Sequence, residues 1–511
     1  MTGQCLLGID IGTYESKGVI TTPAGEVVAS ASVAHSLSLP RPGWVEHDAE
    51  QVWWHDFVIL CRQLLQQGQI DAGQILGVGV SAIAPCVLPI DREGRPLRPG
   101  ILYGVDTRAS AEVADLEREL GREAIFAHSA LHLSSQAAGP KILWLRRHEP
   151  DVWARTETIL TGSGYLVFKL TGEKVIDAYT ATAYAPLFDV HTRTWSAEMA
   201  RPITPLDKLP RVVWSAEVVG EVTTAASKET GLAAGTPVVA GTADAAAEAL
   251  SAGLATPGDL MVMVGSSIFF IQKTARLVAT DKLWAAVFLE EGAYAVAGGM
   301  STGGSLTRWF RDHLSPQEVA AEAAGGPNAY EALAHLAATA PLGSKGLVIL
   351  PYFAGERTPI HDPEARGLIA GLTLAHTRAD LYRALLESVG YGIRHNVDTM
   401  REMGIPPRRI LAVGGGTRNP LWLQIVSDIA GVEQLIPTVH HGACYGDAFL
   451  AGVGVGLFAN TSQVTAWVRH RAVVRPDPDA HSHYESYYRI YRQLYEDSVE
   501  AVHQLARLAV Y

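Results

Sequence analysis

The fold is decided near the start of the chain, by Gly8-Ile9-Asp10-Ile11-Gly12-Thr13-Tyr14-Glu15-Ser16-Lys17. Apolar residues on both sides of the Gly12-Thr13 turn predict two strands of a hairpin, and a third strand from Glu26 to Val33 extends it to a meander. Asp10 then ends the first strand, before a turn whose N–H groups and hydroxyl can cradle phosphates. A hairpin in which Asp10 only caps its own turn would explain the same stretch.

The strand, turn and strand pattern recurs about 255 residues later. Leu260 to Val264 and Ile268 to Gln272 are predicted strands, separated by Gly265-Ser266-Ser267. In isolation the second turn is an ordinary tight turn, but its place in a repeat indicates two related halves. We therefore expect two α/β domains, 1–245 and 246–511, each with a ribonuclease-H-like mixed sheet. This arrangement resembles the actin and hexokinase superfamily, with a catalytic cleft between the domains.

Composition and charge argue against several classes of protein. The chain has 511 residues, 48% of them apolar, and a formal net charge of −12, which disfavours nucleic acid as a partner because phosphate backbones need clustered Lys and Arg. No apolar run approaches the roughly 18 residues that a membrane span requires. The four cysteines show no disulfide or metal-site spacing. The first residues contain no basic stretch followed by an apolar segment, the pattern of a leader peptide. We therefore expect a cytoplasmic protein that acts on small molecules, and a homodimer stays open as its oligomeric state.

A glycine-rich turn, Gly414 to Asn419, lies between a predicted strand and a predicted helix. Its missing side chains would let a base or a phosphate approach the backbone and the helix N-terminus. The turn also reads G-x-G-x-x-N, with Glu433 at the place of an acidic ribose ligand, which keeps a dinucleotide-dependent oxidoreductase open as an alternative. That fold needs further parallel strands after the motif, and only one short strand fits in the remaining sequence.

A carboxylate follows the predicted strand Pro237 to Ala240, in Gly241-Thr242-Ala243-Asp244-Ala245-Ala246-Ala247. Asp244 at this place can be a helix N-cap. It can also be a general base, because phosphoryl transfer needs a carboxylate that orients the attacking hydroxyl and accepts its proton. The small side chains after Asp244 would let the helix lie close to a nucleotide.

Taken together, the motifs closely resemble those of the FGGY carbohydrate kinases, from the first strand to about Gly456. They stand in the family's order: Gly8 to Lys17, Pro42 to Asp48, Pro140 to Leu145, Pro351 to Pro359, and Gly414 to Asn419 leading into Trp422. The resemblance implies an ATP- and Mg²⁺-dependent kinase for a small sugar or polyol. A non-catalytic, actin-like nucleotide-binding protein is the alternative from another class, and loss of Asp244 would have favoured it.

The resemblance also implies a role for each matching residue. Asp10 is expected to bind Mg²⁺, directly or through water, and Asp244 to act as the base beside the sugar. The remaining residues are expected to line the phosphates and the nucleotide: Gly12, Thr13, Lys17, Gly265, Ser266, Gly304, Gly415 and Asn419.

The predicted sugar side departs from the family pattern. The chain as a whole is most similar to xylulokinases, which implies D-xylulose or a related ketose or polyol as substrate. Where xylulokinases carry Gln-Met-His-Gly, however, this chain has Ile83-Ala84-Pro85-Cys86. Because a site built from hydrogen bonds discriminates strongly between analogues, ribulose, erythritol, ribitol and glycerol stay open as substrates. Tyr103, Asp106 and Arg108 are the predicted compensating contacts, although a plain ion pair explains the last two equally well.

Overall fold

The computed structural model describes residues 3–438 and 441–509. Strands and helices alternate along most of that length, as in an α/β protein. In chain order the strands are β1 (Cys5–Ile11), β2 (Glu15–Thr21), β3 (Val27–Ala34), β4 (Glu46–His47), β5 (Ile75–Ala82), β6 (Leu88–Ile90), β7 (Gly100–Ile101), β8 (Thr158–Leu160), β9 (Val175–Asp177), β10 (Phe188–Asp189), β11 (Thr194–Trp195), β12 (Arg211–Val213), β13 (Val218–Glu221), β14 (Pro237–Val239), β15 (Thr242–Ala243), β16 (Asp259–Val264), β17 (Ile268–Thr274), β18 (Trp284–Val287), β19 (Tyr294–Met300), β20 (Val348–Leu350), β21 (Leu368–Ala370), β22 (Arg409–Val413), β23 (Gln434–Pro437) and β24 (His470–Val474).

The helices vary from single turns to a long C-terminal helix. They are α1 (His55–Gly68), α2 (Ser110–Leu116), α3 (Arg122–Ser129), α4 (Ala138–His148), α5 (Pro150–Arg155), α6 (Gly162–Thr171), α7 (Ala178–Thr182), α8 (Ala197–Ala200), α9 (Thr224–Thr230), α10 (Asp244–Ser251), α11 (Gly304–Leu314), α12 (Pro316–Ala323), α13 (Ala329–Ala338), α14 (Arg378–Glu402), α15 (Pro420–Ala430), α16 (Ala443–Gly454) and α17 (Pro478–Leu508). No helix within 3–438 and 441–509 is long and apolar enough to cross a membrane.

One compact unit comprises Met1–Thr256, Lys273–Ala295 and Val439–Arg469. Its main sheet has the strand order β13, β14, β5, β1, β2, β3, and β15 also pairs with β5. Strands β1 and β2 are antiparallel, with Asp10 opposite Lys17, and β5 is parallel to β1 on its other side. The predicted meander is therefore confirmed, and it forms half of a mixed sheet. All residues of β1 are buried, as expected for a central strand covered on both faces.

Helix α16 belongs to this first unit because it packs directly on β1 and β5. A Cβ atom at Gly8 would lie 1.9 Å from the carbonyl oxygen of Cys444, and one at Gly79 would lie 2.0 Å from that of Asp447. Glycines in the two strands thus leave the space that the helix backbone fills. The contact brings a segment from late in the sequence to the strands that carry Asp10 and Ser81.

The second unit comprises Pro257–Gln272, Val296–Thr438 and His470–Tyr511. Its sheet contains, in order, β19, β17, β16, β22, β23 and β24. Strands β16 and β17 form an antiparallel hairpin, and β22 lies parallel to β16 on its other side. This repeats the arrangement of β1, β2 and β5, so the predicted fold class, two ribonuclease-H-like mixed α/β sheets, is confirmed.

The two units of the structure do not correspond to two continuous segments of the chain. The prediction placed a single boundary between residues 245 and 246, whereas each unit in the structure is assembled from separate segments. The physical reason is the packing of α16 on β1 and β5, which places a segment from late in the sequence in the first unit.

Candidate active site

The predicted first phosphate loop is the turn that joins β1 to β2. The Gly12 N–H donates to the carbonyl of Glu15 at 3.1 Å, and a Cβ at Gly12 would lie 2.6 Å from that same oxygen, so the turn requires glycine. Thr13 Oγ1 lies 3.2 Å from the hydroxyl of Tyr103. The ammonium of Lys17 pairs with Glu15 at 3.1 Å, and both side chains are about half exposed. The turn therefore carries a hydroxyl and a cation at its open side.

The back of the turn is fixed by a histidine. His35 Nε2 lies 3.1 Å from the carbonyl oxygen of Gly12, and Nδ1 lies 2.8 Å from Asp56 Oδ2. The hydroxyl of Ser16 donates to the same carboxylate oxygen at 2.7 Å. Strand β2, helix α1 and the turn are thereby joined through one buried ring.

Asp10 lies at the end of β1 and is 8% exposed. Its Oδ1 accepts a hydrogen bond from the Ser81 hydroxyl at 2.8 Å. Burial raises the pKa of Asp10 to about 6, although the Ser81 hydrogen bond and the nearby Lys17 ammonium act in the opposite direction. A buried carboxylate with weakened acidity is a group that a cation would stabilise in its charged form.

Asp244 is the first residue of α10, where it follows β15. The residue before it, Ala243, occupies the N-cap position, and Asp244 Oδ1 accepts the adjacent N–H of Ala245 at 2.7 Å. The N-cap alternative is therefore not what the structure shows. Gly241, with φ of 71°, allows this placement, because a Cβ there would lie 2.0 Å from the carbonyl oxygen of Val80.

The surroundings of Asp244 make it a strong proton acceptor. Burial, then the negative charges of Asp10 and Glu248, raise the pKa of Asp244 to about 8. Glu248, one turn further along α10, has a pKa raised to about 7, first by burial and then by Asp10. Neighbouring carboxyls that cannot all ionise are a feature of catalytic sites.

Three members of this group were missed in the sequence: Ser81, Glu248 and Asp447. Ser81 is the last residue but one of β5 and contacts Asp10, and its hydroxyl also lies 2.6 Å from Oδ2 of Asp447 on α16. Glu248 was passed over inside an Ala-rich helix. A carboxyl in an otherwise apolar helix is the signal that could have identified both Glu248 and Asp447, because a buried charge requires a partner or a proton.

The predicted sugar contacts fall into two kinds. Tyr103 is partly buried and reaches Thr13, as described above. Asp106 and Arg108, by contrast, are fully buried and paired at 2.6 Å, and Arg108 also pairs with Glu46 at 2.8 Å. The Arg108 guanidinium lies 4.1 Å from the ring centre of Trp44. This network explains both residues as structural, so their contact with a sugar stays a prediction without support from the geometry.

Lys141 connects the segments around the predicted sugar side. The residue is 1% exposed, and its ammonium donates to the carbonyls of Leu102, Tyr103 and Ser135, each at 2.7 Å. Burial lowers the pKa of Lys141 to about 8. Three carbonyl acceptors offset the loss of water around the ammonium, and they fix the backbone that carries Tyr103.

The predicted nucleotide residues of the second unit meet at one edge of its sheet. Gly265 follows β16 and Gly414 follows β22, and these strands are parallel neighbours. The N–H of Gly304, at the start of α11, donates to the carbonyl of Gly265 at 2.8 Å, and the N–H groups of Gly303 and Ser305 donate to that of Ser266, each at 2.9 Å. The turn and the helix N-terminus are thus joined.

The glycine-rich turn has one open side. A Cβ at Gly414 would lie 2.7 Å from the carbonyl of Val264, whereas a Cβ at Gly415 would meet nothing within 4 Å. Asn419 caps α15, because its Oδ1 accepts the N–H of Trp422 at 3.1 Å. A dinucleotide fold needs further parallel strands after this turn. Of the two strands that follow in the described part of the chain, β23 is parallel to β22, whereas β24 is antiparallel to β23.

Each unit contains a hairpin with a small-residue turn, and a parallel strand lies beside the first strand of that hairpin. This arrangement, repeated in two units, defines the actin- and hexokinase-like class of nucleotide-dependent proteins. Comparison with known sequences specifies the family. Residues 5–251 match the model of the N-terminal domain, and residues 260–455 that of the C-terminal domain, of the FGGY family of carbohydrate kinases. The chain belongs to this family and is a carbohydrate kinase.

Individual relatives agree with this assignment. The chain is 29% identical over 505 residues to a xylulose kinase of Staphylococcus epidermidis, with 98% of each chain covered. It is 30% identical over 476 residues to a glycerol kinase of Nocardia farcinica, covering 90% of this chain and 91% of that one. The crystal structure of a xylulose kinase from Rhodospirillum rubrum has a TM-score of 0.91 and 34% identity, and the match covers 98% of this chain and 100% of that one.

Proposed function

We propose that the chain phosphorylates D-xylulose, or a related ketose or polyol, with ATP as the donor. The observation that carries this proposal is Asp244, a carboxyl at the start of α10 whose pKa is raised to about 8 by its surroundings. The names of the relatives support a xylulose-type substrate, and the glycerol kinase among them supports polyols as the neighbouring class.

In the proposed reaction Asp244 acts as the general base. Its carboxylate accepts the proton of the attacking sugar hydroxyl while that oxygen forms a bond to the γ-phosphorus, and the bond from phosphorus to the ADP oxygen breaks. A raised pKa increases the affinity of the carboxylate for this proton. In the free protein the same raised pKa keeps most of Asp244 protonated at neutral pH.

Asp10 fits the role of a magnesium ligand. Within 3–438 and 441–509 no group of at least three His, Cys, Asp or Glu residues is arranged to hold a metal, and Mg²⁺ in phosphoryl-transfer sites commonly uses one or two carboxylates together with phosphates and water. The ion supplies neutralisation of the phosphate charge. Asp10 contributes a buried carboxylate whose pKa burial raises to about 6, and a bound cation would stabilise its charged form.

The nucleotide contacts are proposed to come from the loops described above. Gly12, Thr13 and Lys17 are proposed to line the phosphates, with N–H, hydroxyl and ammonium donors. In the second unit, Gly265, Ser266 and Gly304 are proposed to line the nucleotide, and Gly415 and Asn419 to contact adenosine. The open space at Gly415 supports this assignment, because a flat ligand can approach the backbone there.

The sugar contacts are proposed to begin at Asp244 and Tyr103. In the segment that replaces the xylulokinase Gln-Met-His-Gly, Ile83 and Cys86 are buried, and this apolar segment is proposed to form one wall of the sugar site. A sugar with a hydroxyl directed at this wall would lose a hydrogen bond there, which favours analogues without one at that position.

The test is an ADP-release assay over D-xylulose, D-ribulose, ribitol, erythritol and glycerol at equal concentrations. We expect a five-carbon substrate to give the highest kcat/KM. A strong preference for glycerol over every five-carbon compound would overturn the xylulose-type proposal while leaving the kinase family intact.

A further inference from the structure

The hydroxyl of Ser81 lies between two carboxyl groups. Its Oγ is 2.8 Å from Asp10 Oδ1 and 2.6 Å from Asp447 Oδ2. A serine hydroxyl has one proton to donate, so it can satisfy one of these oxygens. The second short contact is favourable only when that carboxyl carries a proton and donates it to Ser81 Oγ.

The structure identifies which carboxyl carries the proton. Asp447 is 0% exposed, and its Oδ1 has no hydrogen-bond partner among the described residues. Asp10 retains some exposure and has Lys17 nearby as a positive charge. An ionised carboxylate with one unpartnered buried oxygen is far more costly than a neutral acid whose carbonyl oxygen is unpartnered. The raised pKa of Asp447, caused by burial and then by the charge of Asp10, agrees with a neutral acid.

We propose that Asp447 is a positioning residue for Asp10, acting as a neutral acid that donates to Ser81, which in turn donates to Asp10 Oδ1. This inference rests on the proposed function, in which Asp10 is the magnesium carboxylate. The chain of two hydrogen bonds sets the direction of the Ser81 proton and fixes one oxygen of Asp10. Its other oxygen accepts no hydrogen bond from the described residues and is left for the cation.

The placement of Asp447 depends on the close packing of α16. Its backbone lies against Gly79, two residues before Ser81, so the side chain reaches the end of β5 from the covered face of the sheet. On its other side α16 contacts α10, since a Cβ at Gly446 would lie 2.1 Å from the carbonyl of Ala247. Two glycine contacts thus hold Asp447 at a fixed distance from Asp10.

Two substitutions test whether Asp447 acts by donating a hydrogen bond to Ser81, by its charge or by its packing. Asp447→Asn keeps the shape and places an N–H donor against Ser81, so Mg²⁺ affinity, from Mg²⁺ titrations of ADP binding by calorimetry, should stay within about threefold of wild type. Asp447→Ala removes the donor and should weaken Mg²⁺ by about 10- to 100-fold, the usual cost of losing an outer partner of a metal ligand. If Asp447 acted by its charge, the Asn variant would be as weak as the Ala variant, and the proposal would be overturned.

Ser81→Ala tests the same connection from its centre. It should weaken Mg²⁺ to the same degree as Asp447→Ala, and the double variant should be no weaker than either single variant, because residues in one network are not additive. Additive losses would show two independent effects and would contradict the proposed chain. Thermal melting of each variant separates a loss of Mg²⁺ affinity from a loss of folded protein.

A readout independent of the reaction is the infrared carboxyl band. The wild-type spectrum minus the Asp447→Asn spectrum, both without nucleotide and near pH 7, should contain a protonated carboxyl C=O band, while the bands of Asp244 and Glu248, whose pKa values are also raised, cancel. Absence of this band from the difference spectrum would overturn the neutral state of Asp447 even if the kinase assay succeeds. If the band is present but the ADP-release assay shows no preference for a five-carbon substrate, the proposed substrate is contradicted and the neutral state of Asp447 is not.

Discussion

Asp244→Asn is the most informative single change, because asparagine keeps the shape of the side chain and removes only its capacity to accept a proton. In the structure Asp244 Oδ1 accepts the N–H of Ala245, and the Asn oxygen can accept the same bond. The helix start at Ala243 is therefore preserved. Any large change in rate then reports chemistry rather than folding.

The expected loss in rate follows from the role of a general base. Removing it should lower kcat by about 10²- to 10⁴-fold, the usual contribution of a positioned acid or base. ATP affinity should change little, since the proposed nucleotide contacts lie on other residues. Glu248→Gln is the comparison variant: it removes a second carboxyl from the same helix, so a kcat loss confined to residue 244 excludes a general effect of local charge.

The structure also predicts a stability signature for the same variant. The pKa of Asp244 is raised from its ordinary 3.8 to about 8, so the folded state holds a proton that the unfolded state releases. The corresponding stabilisation is complete below pH 4 and is lost as the pH rises to about 8. For a single group with this shift, the free energy of unfolding should fall by about 2 kcal/mol between pH 6 and 8, and partial exposure reduces this to about 1–2 kcal/mol.

Asparagine at position 244 does not titrate, so this loss is absent from the variant. The Tm difference, Asp244→Asn minus wild type, should therefore grow from pH 6 to pH 8 by about 1–2 °C, measured without Mg²⁺ or nucleotide, because the unfolding entropy of a chain of this length is large. Turnover, melting and ATP titration are carried out on the same preparations. A variant that keeps more than about a tenth of wild-type kcat would refute the assignment of Asp244 as the base.

Other perturbations test the neighbouring assignments. Asp10→Asn should lower Mg²⁺-dependent turnover by about 10- to 100-fold while the sugar dissociation constant, from calorimetry, changes little; unchanged turnover at saturating Mg²⁺ would assign Asp10 to its turn alone. Lys141→Met should raise the KM of the sugar more than that of ATP, because the ammonium fixes the carbonyl of Tyr103; equal changes would indicate a general structural role. Wild-type kcat/KM should rise with pH up to about 8, since the reaction needs unprotonated Asp244, and a falling profile between pH 6 and 8 would contradict this.

Much of the fold was predictable because local patterns and tertiary packing agree. The sequence predicts a helix from Pro420 to Ala430, and α15 occupies these residues, with proline at its first turn and Gly431 after its end. Strand β16 also falls within one residue of its predicted bounds, Leu260 to Val264. The hydrophobic pattern predicts a helix from Ala49 to Gln67, but α1 begins at His55, because Asp48 caps a separate, wider helical turn over Ala49–Trp54. Element ends of this kind depend on cap geometry, which a hydrophobic pattern does not report.

The site was only partly predictable, for a different reason. Asp10 lies at the end of a strand and Asp244 follows one, each within a motif, so their positions could be predicted from neighbouring residues. The burial of Asp106 and Arg108 depends on Glu46 and on the ring of Trp44, which are distant in the sequence. A carboxylate and a guanidinium close together in sequence are equally compatible with a ligand site and with a buried network, and only the tertiary contacts decide between them.

Asp447 shows where sequence reasoning could have gone further. It is separated from Ser81 by 366 positions, so no local motif connects them. Yet α16 is apolar on nearly all sides, and a helix with that pattern is buried. A single aspartate in such a helix must therefore be neutral, paired or bound to a cation. Gly446 beside it indicates close helix packing, which excludes a long basic partner. A neutral acid beside a hydroxyl is the arrangement that satisfies these constraints, and the contact of Asp447 with Ser81 has that form.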